Sequence, residues 1–320
     1  MSDLEIVLLV IGSALTFFTL LLFLGGYITY RMAFYNNVKK DPPDPYKFAE
    51  GDDPRKALSR ELIGNILDMD KRGEFESVYI SSHDGLKLHA RLYIHNEGAP
   101  FAICAHGYKS YFAIDFSGGA PDLISLGFNV LLIDQRACGE SEGVTVSFGY
   151  NERRDILSWI DYIEGRFGKE SRILLSGVSM GAATVLYAAA LGLPPSVKCV
   201  FADCPYSSAR EIIRKTIGDM HLPTFLYPLV RFGALVFGGF DPNAVDVAAV
   251  AENITLPTVI IHGEGDGFVP SSMSEKIAAA NTESIALHTF PDAHHGVSYL
   301  YDRERYRKIM KEHVKIFFDN

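Results

Sequence analysis

Acyl transfer by a serine needs three side chains, and this chain carries candidates for each at widely separated positions. Ser179 sits in "GVSMG", between the apolar run "RILLSG" and the helix former "MGAATVLYAAALG". That places it on a sharp strand-to-helix reversal, where Gly177 and Gly181 provide clearance for neighbouring backbone. A serine hydroxyl is a weak nucleophile until a base takes its proton, and the base needs a carboxylate to fix its tautomer. Asp266 follows the strand-like "TVIIHG", and Asp203 ends "KCVFAD" at the same edge of the expected sheet. Asp203 is the rival acid, with an alternative role accepting backbone N–H bonds in the turn at Pro205. His294 and His295 follow the last strand-like run, and adjacent loop residues generally point different ways, so only one can face Ser179.

The oxyanion formed when a serine adds to a carbonyl requires two preorganised donors. The Met180 N–H, at the positive end of the following helix, supplies one. The Tyr108 N–H, in the loop after "FAICAH", is expected to supply the other. Both residues act through backbone, which leaves their side chains free to line an acyl pocket. His106 in the same loop is read as structural, its ring holding the loop.

Positioning these groups takes a sheet. "FESVYIS" (75–81) and "LKLHARLYI" (86–94) are joined by "SHDG", whose Asp84-Gly85 is a hairpin signal. Then come "FAICAH" (101–106), "NVLLID" (129–134), "RILLSG" (172–177), "KCVFAD" (198–203), "TVIIHG" (258–263) and "IALHTF" (285–290). Amphipathic helices lie between most of them, for example 151–166 with Ile156, Trp159, Ile160 and Ile163 on one face. An antiparallel start followed by βα units with near-continuous apolar strands predicts an α/β fold, a mostly parallel eight-stranded sheet covered on both faces.

The composition suits one such domain: 320 residues, 48% hydrophobic and 22% charged. A net charge of −9 without a basic run argues against a nucleic-acid partner. Cys104, Cys138, Cys199 and Cys204 show no metal-like spacing, and Cys104 and Cys199 read as small buried hydrophobes. Neither a metal nor an organic cofactor is expected.

From Ile6 to Tyr30 there is no charge, a stretch of about 25 residues that can cross a hydrocarbon core about 30 Å thick. The acidic "MSDLE" ahead of it and the lack of a small-x-small site favour an uncleaved anchor over a secretory signal. Arg31, Lys39 and Lys40 follow the span, so the positive-inside bias expects a single-pass protein with its bulk on the cytoplasmic side. The expected organisation is an anchor in 1–35, a linker and amphipathic helix in 36–72 and a catalytic domain in 73–320. A cap is expected at about 205–250. Within it, "LPTFLYPLVRFGALVFGGF" (222–240) is read as an apolar lid over the sheet's carboxyl edge, because Arg231, Pro223 and Pro228 disfavour a second span.

Over residues 75–320 the sequence resembles the α/β-hydrolase superfamily, most closely its membrane-anchored bacterial esterase-like and serine-aminopeptidase-like members. "AHGYKS" resembles the oxyanion-loop motif, "DQRACGESEG" the turn after the fourth strand and "GVSMG" the nucleophile elbow. "HGEGDGFVP" resembles the acid loop and "AHHGVSY" the histidine-bearing ending. The resemblance implies Asp266 as the acid and His295, not His294, as the base. It implies a serine hydrolase, and the apolar cap and bilayer tether suggest an acyl ester with a hydrophobic chain, a small-molecule or lipid-like substrate. A peptidase, amidase, thioesterase or acyltransferase on the same triad is the alternative, as is a non-catalytic membrane-anchored binding protein.

Overall fold

The computed structural model describes residues 2–37, 44–47 and 49–317. Eight strands form one sheet: β1 (Glu76–Ser81), β2 (Lys87–Tyr93), β3 (Phe101–Ala105), β4 (Asn129–Ile133), β5 (Ile173–Val178), β6 (Val197–Asp203), β7 (Thr258–Gly263) and β8 (Ile285–Phe290). Their spatial order is β1-β2-β4-β3-β5-β6-β7-β8. β2 runs antiparallel to both β1 and β4, and every later pairing is parallel, so the sheet is mixed with a parallel majority. Each strand lies within a residue of its expected run at either end. Long apolar runs flanked by turn residues leave little freedom in where a buried strand can begin.

Among the described residues there are twelve α-helices, and all but α1 connect or cover the sheet. They are α1 (Asp3–Ala33), α2 (Pro54–Lys71), α3 (Phe112–Asp115), α4 (Gly119–Ser125), α5 (Glu152–Phe167) and α6 (Met180–Ala189), followed by α7 (Ala209–Asp219), α8 (Tyr227–Gly233), α9 (Val247–Val250), α10 (Ser271–Ala280), α11 (Ser298–Tyr301) and α12 (Arg303–His313). Strand alternation divides the core into two layers. Ile103 and Leu131 face Ile156, Trp159, Ile160 and Ile163 of α5. Cys104 and Leu132 face the opposite way, toward Leu62 and Ile66 of α2, Leu123 of α4 and Ile309 and Met310 of α12. All four cysteines are buried free thiols.

α1 carries a capping box at Ser2 and Glu5 and leaves its apolar side chains exposed over most of its length. It is the one described helix long and apolar enough to cross a membrane. Its last turns join the domain. Gly26 and Tyr30 are buried, and Phe34, just past the helix, is fully enclosed against the rings of Phe148 and Phe240. The stretch 222–240 runs along this end of α1, where Phe232 and Phe237 meet Phe23 with ring centroids 5.3 and 6.4 Å apart. An apolar face signals that it will be covered but does not say by what, and here α1 is the cover. Lys39 and Lys40, part of the orientation argument, and most of the expected linker core (38–43) lie outside the described residues.

Candidate active site

Ser179 stands between β5 and α6 with φ 54° and ψ −115°, a left-handed backbone for a residue with a side chain. Such a conformation costs about 1–3 kcal/mol and persists only where its surroundings enforce it. Here they do: the Ser179 N–H donates to the Asp203 carbonyl at 2.8 Å. A methyl on Gly177 would overlap the Gly181 backbone, and one on Gly181 would overlap the Ala105 carbonyl. The close approach of β3, β5 and α6 therefore demands glycine at both positions.

The Ser179 Oγ donates to His295 Nε2 at 2.9 Å, and His295 Nδ1–H donates to Asp266 Oδ2 at 2.7 Å. Asp266 Oδ1 accepts the Phe268 and Val269 N–H groups at 2.9 and 2.8 Å. Burial alone would raise the Asp266 pKa, but hydrogen bonds from His262 and His295 and the backbone donors hold it well below the ordinary carboxylate value. His262 is a contributor that sequence reasoning passed over, although its motif was noted. Its Nδ1 lies 2.6 Å from the Ser274 Oγ, and its Nε2–H is shared between the Val269 carbonyl at 2.8 Å and Asp266 Oδ2 at 3.2 Å. That network fixes the acid loop at the end of β7.

The other sequence candidates lie apart from this relay. His294 turns outward, with Nδ1 2.7 Å from the Gly265 carbonyl. His106 accepts the Gln135 N–H at Nε2 (3.1 Å) and meets the Gly107 carbonyl through Nδ1 (2.8 Å), so its ring holds the loop. The Asp203 carboxylate is bonded not in the Pro205 turn but to the Tyr306 hydroxyl at 3.0 Å, and its Oδ1 has no partner among the described residues. Burial pushes the Asp203 carboxyl up to about 6. A carboxyl whose folded pKa lies above its unfolded value favours the folded state while protonated. Its contribution is complete below the unfolded pKa near 3.8 and fades as pH rises to about 6. Stability measured by chemical denaturation should therefore fall with pH across that window, and Asp203→Asn should flatten the slope by about one proton. An unchanged slope would contradict this assignment.

The chain contains a second G-x-S-x-G, "GESEG", around Ser141. Its hydroxyl donates to the Asp134 carbonyl at 2.6 Å and accepts the His89 N–H at 2.9 Å, locking the turn after β4. The five-residue pattern therefore does not by itself single out Ser179; the strand-turn-helix setting does.

Beside Ser179, the N–H groups of Tyr108 and Met180 have no acceptor among the described residues. The Met180 side chain is wholly in the core, while Tyr108 lines the cavity and its hydroxyl donates to the Ala33 carbonyl at 2.6 Å. The neighbouring Gly107 N–H is taken by Asp115 Oδ2 at 2.6 Å, which fixes this loop beside Ser179. Desolvation raises the Asp115 pKa against the pull of that bond. No motif marked Asp115, because its role exists only through a loop closing back on itself.

The cavity around Ser179 has a volume of about 1050 Å³. Phe116, Leu123, Val178, Tyr299 and Met310 form apolar wall, while Arg55, Lys56 and Lys109 stand among its polar residues. Residues 205–250, where a cap was expected, contribute nothing to its wall among the described residues. For a metal, Cys204, Asp266 and His295 lie close enough together, but burial keeps Cys204 a thiol and the other two bond each other. The second cluster, His83, Asp84 and Asp155, is occupied by the Arg136 guanidinium, which binds both carboxylates.

A mixed sheet with a serine elbow after its fifth strand is the layout of the α/β-hydrolase fold. The family model for the alpha/beta hydrolase fold matches residues 103–225, and that for serine hydrolase (FSH1) matches 195–296. The chain has the α/β-hydrolase fold. It is 30% identical over 199 residues to the uncharacterized protein YqkD of Bacillus subtilis, covering 62% of this chain and 64% of that one. It is 28% identical to thiohydrolase aneE of Aspergillus aculeatus, covering 49% of this chain and 48% of the relative. The chain thus spans between about half and just under two thirds of these relatives. The Pyrococcus furiosus esterase Pf2001 superposes with a TM-score of 0.64 at 24% identity, over 77% of this chain and 93% of that structure. Est1E of Butyrivibrio proteoclasticus with ferulic acid bound superposes at 0.57 and 23% identity, over 75% and 97%. At these identities the likeness is one of fold.

Proposed function

We propose that the protein is a membrane-anchored serine hydrolase that cleaves acyl esters carrying a hydrophobic chain. The observation that carries this reading is the continuous relay from the Ser179 hydroxyl through His295 to Asp266, at 2.9 and 2.7 Å. Ser179 Oγ adds to the ester carbonyl while His295 Nε2 takes its proton, and Asp266 holds the imidazole in the required tautomer. The Tyr108 and Met180 N–H groups receive the oxyanion. Collapse of the tetrahedral intermediate breaks the C–O bond, and His295 returns the proton to the departing alkoxide. Water activated by His295 then clears the acyl-enzyme and restores Ser179.

The anchor reading assigns α1 as an uncleaved span and residues 73–320 as the catalytic domain, on the cytoplasmic side. It is supported by the burial of Gly26, Tyr30 and Phe34 and by the bond from Tyr108 to Ala33, contacts that removal of a leader would strip away. The apolar cavity wall supports the acyl substrate. Thioester cleavage is the second reading, favoured by the resemblance to a thiohydrolase, since the same relay serves both.

The test uses the full chain in detergent micelles. A fluorophosphonate probe should label wild type, and a panel of nitrophenyl esters of increasing chain length should be turned over. Acyl thioesters and aminoacyl arylamides are run beside them. Labelling with cleavage of arylamides alone would replace the esterase reading by a peptidase. Absence of labelling would replace it by a binding protein.

A further inference from the structure

We infer that residues 224–238 are a second membrane element. Together with the end of α1 they form one wedge seated in the headgroup and upper acyl region of the same leaflet. The inference rests on α1 being a membrane anchor, and its test separates the two.

The first support is how closely the elements pack. A methyl on Gly233 would overlap the Gly26 carbonyl, one on Gly26 would come within 2.6 Å of the Phe232 ring, and Leu229 covers Gly25 at 3.1 Å. The Thr29 hydroxyl lies 3.0 Å from the Gly26 carbonyl and 3.3 Å from that of Leu229. Small residues that bring backbones together, with a hydroxyl bonding across, are how helices associate in lipid.

Depth follows from the same contacts. Phe232 and Phe237 reach back to Phe23, while Phe237 also meets Tyr27 and Tyr30 at 5.4 and 6.1 Å. Phe23 lies seven residues before Tyr30, where the uncharged stretch of α1 ends. At 1.5 Å per residue that is roughly 10 Å along the axis, the depth at which interfacial helices lie. If α1 is in the bilayer, α8 and the π-helical turn after it (Ala234–Gly238) are carried in beside it.

The outer surface suits lipid. Phe225 is 77% exposed, Leu235 and Val236 are each 45% exposed, and Leu24 and Ile28 of α1 are exposed too. Arg231, the charge that disfavoured membrane entry, is held bidentately by Asp241 at 2.8 and 2.7 Å, which offsets much of that cost. Exposed cations lie on the neighbouring α7, where Arg210 and Arg214 stand one turn apart. Arg31 stacks 3.8 Å above the Tyr35 ring at the end of α1. Cations and tyrosines around an apolar face match an anionic headgroup layer.

The test is carried out on the full chain in vesicles of phosphatidylcholine and phosphatidylglycerol. An environment-sensitive fluorophore is attached through Phe225→Cys, Leu235→Cys, Leu15→Cys in α1 and Leu191→Cys on the loop after α6. Lipids carrying a spin label at a shallow or a central acyl position serve as quenchers. Loss of emission at 225 and 235 with the shallow label, at 15 with the central label, and at 191 with neither is expected. If 225 and 235 behave like 191 while 15 is quenched, the wedge is refuted and the anchor stands. If 15 is also unquenched, the anchor fails and the wedge with it. Blue-shifted emission at 225 and 235 without lipid quenching means that a second copy covers the face, which equally overturns the inference.

Discussion

Ser179→Ala is expected to lower kcat for ester cleavage by a factor of about 10⁶, and to abolish fluorophosphonate labelling, without unfolding the chain. Removing the hydroxyl deletes the attacking atom, so what remains is the polarisation of a bound ester by the Tyr108 and Met180 N–H groups. In the proposed relay Ser179, His295 and Asp266 act as a unit, so His295→Ala should cost a similar factor and the double variant little more. The measurement is kcat on a short-chain nitrophenyl ester, with circular dichroism to verify folding. Full labelling of the alanine variant would move the nucleophile elsewhere. Ser141 is the control, since its hydroxyl is committed to the Asp134 carbonyl.

Asp266→Asn is expected to reduce kcat by about 10⁴ with a much smaller change in KM. An amide cannot select the His295 tautomer that leaves Nε2 free to accept the Ser179 proton. The carboxylate also accepts two backbone N–H groups, and the displaced charge leaves them with a weaker acceptor. Its depressed pKa adds a stability effect with the opposite sign to that of Asp203. A carboxyl lowered on folding contributes above its unfolded pKa near 3.8, and the contribution is lost as pH falls through the lower folded value. Acid denaturation of wild type should therefore be steeper below pH 3.8 than that of the asparagine variant, and equal curves would contradict the account.

The sheet was legible because each strand is a short apolar run between turn residues. The elbow was legible because an apolar strand run leads into Ser179 and a helix former follows it, a setting that Ser141 lacks. Pairing Ser179 with Asp266 and His295 depended on motif order, and only coordinates bring those three side chains into contact. Asp115 was out of reach: it works by folding a loop onto Gly107, a tertiary event without local pattern. His262 was visible as part of "HGEGDG", but nothing in spacing told that its ring would turn toward Asp266. The segment 222–240 shows the limit most clearly. Its apolarity was plain, yet a lid over the sheet and a helix lying along α1 share one hydrophobic pattern.

The bond from the Tyr108 hydroxyl to the Ala33 carbonyl ties the loop after β3 to the end of α1, and Phe34 is clamped immediately after it. With α1 in a bilayer, that tie leaves no tether on which the catalytic centre could swing. On the proposed function, the reaction would then take place at a constant height above the lipid, and esters would reach it by lateral diffusion in two dimensions. Its velocity would track the mole fraction of ester in the surface rather than the bulk concentration, and diluting the substrate with inert lipid would slow turnover even at a fixed total amount.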